Sequence, residues 1–382
     1  MKVLHYIPNF SVTTETFIYD QVLGIQEQGI ESAVLTAKRL NISSRPFSKV
    51  YLAPFKTILN ERLTQSLVLR FQLMPLFIDY KQWQNVLNEF KPDIIHCHTG
   101  NAVKTWMHVS DKLKVNIPVI ASMHGSDVNS EPLVRKQYKK VLTSAASADY
   151  VHWTVPSNFL KHKLALNLSV PSEKTHVVYN AINPIFTHVK SPCTFEQIKV
   201  ISVGRFITCK GHEFLIRGFA VVSKTYPDAL LTLVGSGPLK ASMIELVGAL
   251  GIEKNVTFLD SVNHEELPSL LSNHNIYVQP SIIDEVTQQE ESFGVAALEA
   301  MATGLPIIVT KCGGLKELSV FCNKEAVSVV EQKNDQEIAT AIETHFSQKA
   351  LVSSQSREAI AGIFSNNKNA ASIIDLYKKA LK

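Results

Sequence analysis

Short apolar runs alternate with amphipathic stretches of helical period along most of this chain, which narrows the fold to parallel α/β layers. Residues 3–7 read as a first strand, 16–28 as a helix stopped near Gly29, and 32–36 as a second strand. Strands at 93–98, 118–123, 150–154 and 176–179 continue the series. Periodicity then weakens over 188–197, with Pro192 inside, and that stretch reads as a linker. A second βα series opens at 199–203 and continues at 229–234, 256–259, 276–279 and 306–309. The expected domains are 1–188 and 198–365, followed by a helix at 366–382 that packs back towards the first. Ile373, Ile374, Leu376, Tyr377 and Leu381 give that helix an apolar face that needs cover. Two such doubly wound domains in tandem would set their carboxyl-edge loops across a shared cleft.

Composition limits what this scaffold can be. The 382 residues, 45% hydrophobic and 19% charged, are ample for more than one core and unlike a disordered chain. The longest charge-free run, 267–283, holds Ser, Asn, His and Gln and falls short of a membrane span. No signal peptide is expected at the N-terminus. Five scattered cysteines without CxxC spacing fit free thiols in a reducing cytosol, not a disulfide framework or zinc site. A net charge of +4 does not imply nucleic-acid binding, and no nucleic acid is an expected partner. Residues 1–190 hold 21 Lys+Arg against 13 Asp+Glu, whereas the remainder is net acidic. That asymmetry reads either as chance between two solvated surfaces or as a first domain facing something anionic.

The strongest segment for chemistry spans 291–306. Residues 295–303 form a helix stopped by Gly304 and Pro306. Gly294 lets a ligand approach the helix start, where unpaired backbone N–H groups and the dipole favour an anion such as phosphate. Glu299 lies about one turn in and Glu291 lies before the helix. Neither helps hold phosphate, but both can accept hydrogen bonds from sugar hydroxyls. The segment also reads as a plain helix with one N-terminal and one surface acid. After the strand at 199–203, Gly204-Arg205 and Lys210-Gly211 bring two cations suited to phosphate oxygens, or make a basic surface turn. Their spacing is not that of a Walker loop. Gly235-Ser236-Gly237 and Gly313-Gly314 sit at strand ends, where glycine permits close backbone approach to a ligand.

In the first half, His124-Gly125-Ser126-Asp127 closes a buried strand. His124 suits hydrogen bonding to a reacting oxygen and Asp127 could orient its neighbours, or the histidine is simply structural. His96 and His98 share a strand face like a metal pair, but the nearest acid, Asp93, has the opposite parity, so no metal site is expected. Residues 11–18 form a polar turn into a helix, a natural N-cap or anion contact.

In their combined order these segments resemble glycosyltransferase family 4, whose GT-B fold is α/β, with two Rossmann-like parallel-sheet domains facing a central cleft. The most specific element is Glu291, seven residues, then Glu299 running into Ala300-Met301-Ala302-Thr303-Gly304-Leu305-Pro306. Gly204-Arg205 with Lys210-Gly211, Gly235-Ser236-Gly237, Pro280-Ser281 and Gly313-Gly314…Glu317 match further landmarks, so the likeness spans nearly the whole chain. Glu15-Thr16-Phe17-Ile18 and His124-Gly125-Ser126-Asp127 resemble a subgroup that makes bacterial surface polysaccharides.

The resemblance implies roles. Arg205 and Lys210 would hold the nucleotide diphosphate, beside Gly204 and Gly235. Glu299 would bind the ribose hydroxyls, and Glu291 with the backbone of Phe293, Gly294 and Val295 would bind the donor sugar. His124 would sit beside the donor sugar and the acceptor hydroxyl, with Thr14, Glu15, Thr16 and Asp127 on the acceptor side. It further implies a retaining, metal-independent hexosyl transfer from a UDP- or GDP-sugar, with no other cofactor, to a glycan or lipid-linked glycan. Front-face attack with the leaving phosphate as base is the implied route. Two departures stand out. Residues 282–290 lengthen the loop before Glu291 and add Asp284, Glu285 and Glu290, and Ala181 and Asn183 replace the Gly and Asp of the family's Asn-Gly-Val-Asp turn.

Arg135, Lys136, Lys139 and Lys140, with the largely apolar stretch 67–78, suggest contact with anionic lipid headgroups or a lipid-diphosphate acceptor. The expected location is therefore cytoplasmic and peripheral on the inner face of the plasma membrane. Two rivals are a nucleotide-sugar epimerase and a non-catalytic GT-B scaffold subunit. The first should add acid/base carboxylates in the first domain and act without an acceptor. The second has no reason to keep Arg205, Lys210, Glu291, Glu299 and His124 together.

Overall fold

The computed structural model describes residues 1–12, 16–56, 74–189 and 195–382. They divide into two compact units: Met1–Ala181 with Asn366–Lys382, and Ile182–Ser365.

The first unit is built on seven parallel strands: β1 (Lys2–Tyr6), β2 (Glu31–Thr36), β3 (Val50–Leu52), β4 (Ile94–Cys97), β5 (Val119–Ser122), β6 (Val151–Val155) and β7 (Thr175–Val177). Their order is β3-β2-β1-β4-β5-β6-β7, so the winding reverses between β1 and β4. Helices cover both faces, which is why β4 and β5 are buried along their whole length rather than alternating. One face packs Trp83, Phe90, Trp106 and Tyr138 against Leu4, Ile95 and Trp153. The other is covered by α1 (Thr16–Glu27), which ends before Gly29 at φ +87°, and by the helix Asn366–Ala380. Ala370, Ile373, Ile374, Leu376 and Tyr377 of that helix pack on Val3, Ile25, Ile94, Ile120 and Val178.

The second unit has six parallel strands: β8 (Lys199–Val203), β9 (Leu230–Val234), β10 (Val256–Leu259), β11 (Ile276–Gln279), β12 (Ile307–Thr310) and β13 (Val327–Val330). They run in the order β10-β9-β8-β11-β12-β13, reversing between β8 and β11. Among its helices are α2 (His212–Thr225), which follows β8, and α3 (Val295–Thr303), which follows β11.

Sequence periodicity passes over β3 and β13. Both are short edge strands and mostly half-buried, so neither carries the apolar run of a central strand. The crossing into the second unit also comes earlier than the expected linker. Ile182 N–H donates to Phe364 O, Arg357 donates to the carbonyls of Thr187 and Val189, and Phe186 is fully buried, so 182–189 belong to the second unit. Of the expected linker, 190–194 lie outside the described residues.

Candidate active site

Ligands of open α/β sheets sit at the carboxyl edge where the strand order reverses. In the second unit that crevice lies between the loops after β8 and β11, and these carry Lys210 and Glu291. Gly211 draws them together. Its φ is +62°, and a Cβ there would lie 2.1 Å from the Pro280 carbonyl oxygen, so only glycine allows the approach. Lys210 Nζ then reaches Glu291 Oε2 at 2.6 Å, and Ser281 Oγ donates to the same oxygen at 3.1 Å. Burial would push the Glu291 carboxyl up. The Lys210 ammonium, with hydrogen bonds from Lys210, Ser281 and Gln279, outweighs that and holds it below the usual range. Arg205 is exposed on the same loop as Lys210 and makes no ion pair or hydrogen bond among the described residues.

Gly294, at φ +97°, starts α3 as the residue before Val295, and its Cβ position is occupied by Leu315 Cδ2 at 2.4 Å. The first N–H groups of α3 have no intrahelical acceptor. Phe293 turns away from them into the core, its ring 5.8 Å from that of Phe364. One turn along, Glu299 is only 8% exposed, and its Oε1 lies 3.1 Å from Nε2 of His264.

Two glycine pairs let loops of the chain itself come close together. A Cβ on Gly235 would lie 1.9 Å from the Gly204 carbonyl oxygen, and one on Gly237 would lie 2.5 Å from that of Phe206. Phe206 N–H donates to Ser236 O, so the loops after β8 and β9 are zipped backbone to backbone. Gly313 and Gly314 meet the carbonyls of Glu291 and Ser292, and Gly314 N–H donates to Glu291 O. Gly235 and the Gly313 pair thus fix where Arg205 and Glu291 stand, through backbone contact.

In the first unit, Asp127 clamps the turn after β5. Its Oδ1 accepts the N–H of His124 at 3.0 Å and of Gly125 at 2.8 Å, and its Oδ2 accepts Gly100 N–H at 3.4 Å. Those contacts occupy the carboxylate with backbone, so it shapes the turn that presents His124. The His124 ring packs edge-on to Phe17, 4.9 Å between centroids, and neither ring nitrogen has a partner among the described residues. Burial lowers its pKa to about 4, so the ring is neutral near pH 7. Thr16 opens α1 and is half-buried, whereas Thr14 and Glu15 lie outside the described residues.

His96 and His98 gain a third histidine, His5 of β1, which register places opposite His96. His5 is no acid, but its parity on the neighbouring strand sets it on the same face as the other two. The rings are already engaged in hydrogen bonds. His5 Nδ1 lies 3.0 Å from His98 Nε2, while His96 bonds the Tyr377 hydroxyl at 2.6 Å and Ser122 Oγ at 2.7 Å. No sequence motif marks His264. It begins the turn after β10, at the same carboxyl edge that singled out Arg205 and Gly235.

Two parallel α/β units, the second gathering cations, a helix N-terminus and two carboxylates at its switch point, define the GT-B class of glycosyltransferases. The family model for group 1 glycosyl transferases matches residues 187–362, and that for glycosyltransferase family 4 matches 14–185. The chain belongs to glycosyltransferase family 4. It is 30% identical over 258 residues to the uncharacterized glycosyltransferase MJ1607 of Methanocaldococcus jannaschii, covering 61% of each chain. It is 26% identical over 235 residues to the uncharacterized glycosyltransferase YqgM of Bacillus subtilis, covering 60% of this chain and 61% of that one. The chain thus matches less than two thirds of the length of these relatives. Among solved structures it is similar to Anabaena Alr3699/HepE in complex with UDP, with TM-score 0.77, 18% identity and coverage of 99% and 100%. The same Anabaena protein in complex with UDP-glucose has TM-score 0.76, 18% identity and the same coverage.

Proposed function

We propose that this glycosyltransferase moves a hexosyl group from a UDP- or GDP-sugar to a hydroxyl of a glycan or lipid-linked glycan in surface-polysaccharide biosynthesis, with the anomeric configuration kept. The observation that carries this reading is the pairing of Lys210 with Glu291 beside the start of α3. When diphosphate arrives, Lys210 turns from carboxylate to phosphate, and Arg205 supplies a second cation. Glu291, released, accepts hydrogen bonds from the donor sugar, and the backbone of Phe293, Gly294 and Val295 faces the leaving oxygens. These groups stabilise charge on the departing diphosphate without a metal ion. The leaving phosphate then takes the proton of the acceptor hydroxyl as the oxygen attacks from the same face. Neutral His124 offers a hydrogen bond to that hydroxyl or to the donor sugar. The Anabaena neighbour solved with UDP and UDP-glucose supports a nucleotide-sugar donor.

The surface around residues 133–140 of the first unit supports contact with anionic lipid. Lys136, Lys139 and Lys140 are exposed beside the exposed apolar pair Leu133 and Val134. Arg135 is tied to Glu131 at 2.6 Å and is not part of that exposed set, and residues 67–73 lie outside the described residues. Among the described residues no helix is long and apolar enough to cross a membrane.

The test is a panel of UDP- and GDP-sugars scored by thermal shift and slow donor hydrolysis, with Arg205→Ala in parallel. One donor should stabilise the protein and be hydrolysed, and Arg205→Ala should weaken diphosphate binding. Unchanged calorimetric affinity in that variant would refute the phosphate role, and sugar isomerisation without acceptor would favour an epimerase.

A further inference from the structure

Glu299 is nearly buried, yet its environment is sparse. Oε1 meets His264 Nε2, whereas Oε2 makes no hydrogen bond among the described residues. A carboxylate with one oxygen held and the other open has its plane fixed while keeping acceptor sites for two hydroxyls. His264 is itself held. The chain turns at Asn263, whose carbonyl accepts the N–H groups of Glu266 and Leu267. The His264 ring also stands edge-on to fully buried Phe186, 5.1 Å between centroids. An imidazole pinned by packing therefore donates to the carboxylate from the loop after β10, while Glu299 comes from the helix after β11.

We propose that His264 is a positioning residue that presets the Glu299 carboxylate to grip the cis-diol of the donor's ribose. This rests on the ribose role of Glu299 in the function proposed above. Without the Nε2–H donor, the carboxylate can rotate about its last bond and loses the orientation that accepts both hydroxyls. His264 then governs how well the site tells a ribonucleotide from its 2′-deoxy counterpart, because only the ribonucleotide offers both hydroxyls.

The experiment measures calorimetric Kd values of the full chain for UDP and dUDP, and for GDP and dGDP, in the unmutated protein, His264→Phe and His264→Gln. Phenylalanine keeps the ring against Phe186 but removes the donor; glutamine restores an N–H. The unmutated protein should prefer the ribonucleotide of the pair it binds. His264→Phe should weaken ribonucleotide binding about five- to tenfold, leave the deoxynucleotide nearly unchanged, and thereby erase the preference. His264→Gln should recover much of it. Equal weakening of both nucleotides, or a preference that survives His264→Phe in a folded protein, overturns the role of His264 while leaving the ribose role of Glu299 intact. No preference in the unmutated protein, or no binding of either pair, removes the ribose reading itself and this inference with it.

Discussion

Replacing Lys210 by methionine should convert Glu291 from a stabilising charge into a destabilising one. The two atoms are 2.6 Å apart, and the side chains are only 21% and 15% exposed, so no water shell can readily replace the lost ammonium. Removing one partner of a buried pair costs about 3–5 kcal/mol; the partial exposure here puts this one near the low end, at about 3 kcal/mol. For a unit of this size, that is roughly 6–12 °C of melting temperature. The pH dependence carries the diagnosis. In the native protein Glu291 titrates below its ordinary 4.5, so its stabilisation is fully present above that pH and is lost as pH falls through the folded value. In Lys210→Met, burial is opposed only by Ser281 and Gln279, and the carboxyl should titrate above 4.5. It then costs stability at neutral pH, and that cost is relieved as pH falls. Calorimetric melting at pH 7 and at pH 4.5 should show the gap between the two proteins shrinking at the lower pH. Adding Glu291→Gln should recover most of the loss at pH 7. A pH-independent gap, or a double variant no more stable than the single, would refute the reasoning.

Gly235→Ala should cost about 2–4 kcal/mol in denaturant unfolding, because its Cβ meets the Gly204 carbonyl oxygen at 1.9 Å with φ at +148°. Gly251→Ala, at φ +68° with nothing within 4 Å, should cost only about 1 kcal/mol, and equal costs would discount the loop zipper. Asp127→Ala should destabilise the first unit by about 2 kcal/mol and depress transfer while nucleotide affinity stays the same; a loss of nucleotide affinity would contradict its role as a clamp. Buried neutral His5 and His124, lowered to about 3 and about 4, should make stability fall as pH drops below 6.5, where the unfolded chain takes up protons that the fold refuses. His124→Gln should flatten that slope by roughly 1.4 kcal/mol per pH unit between pH 6 and 4.5, and an unchanged slope would mean His124 is protonated in the fold.

Much of the scaffold was legible because central parallel strands are continuous apolar runs whose ends are marked by glycine, proline or small polar residues. The limits of α3 follow from Gly294 and Gly304 alone, and the apolar face of the helix Asn366–Ala380 announced a partner. What the strand ends could not disclose was the object each glycine faces. Gly235, Gly313 and Gly314 look the same in sequence whether phosphate or a neighbouring carbonyl comes close. Lys210 with Glu291 and His264 with Glu299 escaped for a related reason. Each pair joins loops from different strands, 81 and 35 residues apart, and only the strand order brings them together.

The first unit is not a continuous stretch of chain, and this has a consequence for biosynthesis. On a translating ribosome, Val3, Ile94 and Ile120 emerge early, but the helix that covers them is made only after residue 365. At about 5–20 residues per second, the intervening unit delays it by roughly 10–40 s. During that time His96 lacks its Tyr377 hydroxyl and an apolar sheet face stays open. Residues 182–365, by contrast, are contiguous and can complete their core as they emerge. The half synthesised first is therefore finished last, and the nascent chain passes through a stage in which only its second half is complete.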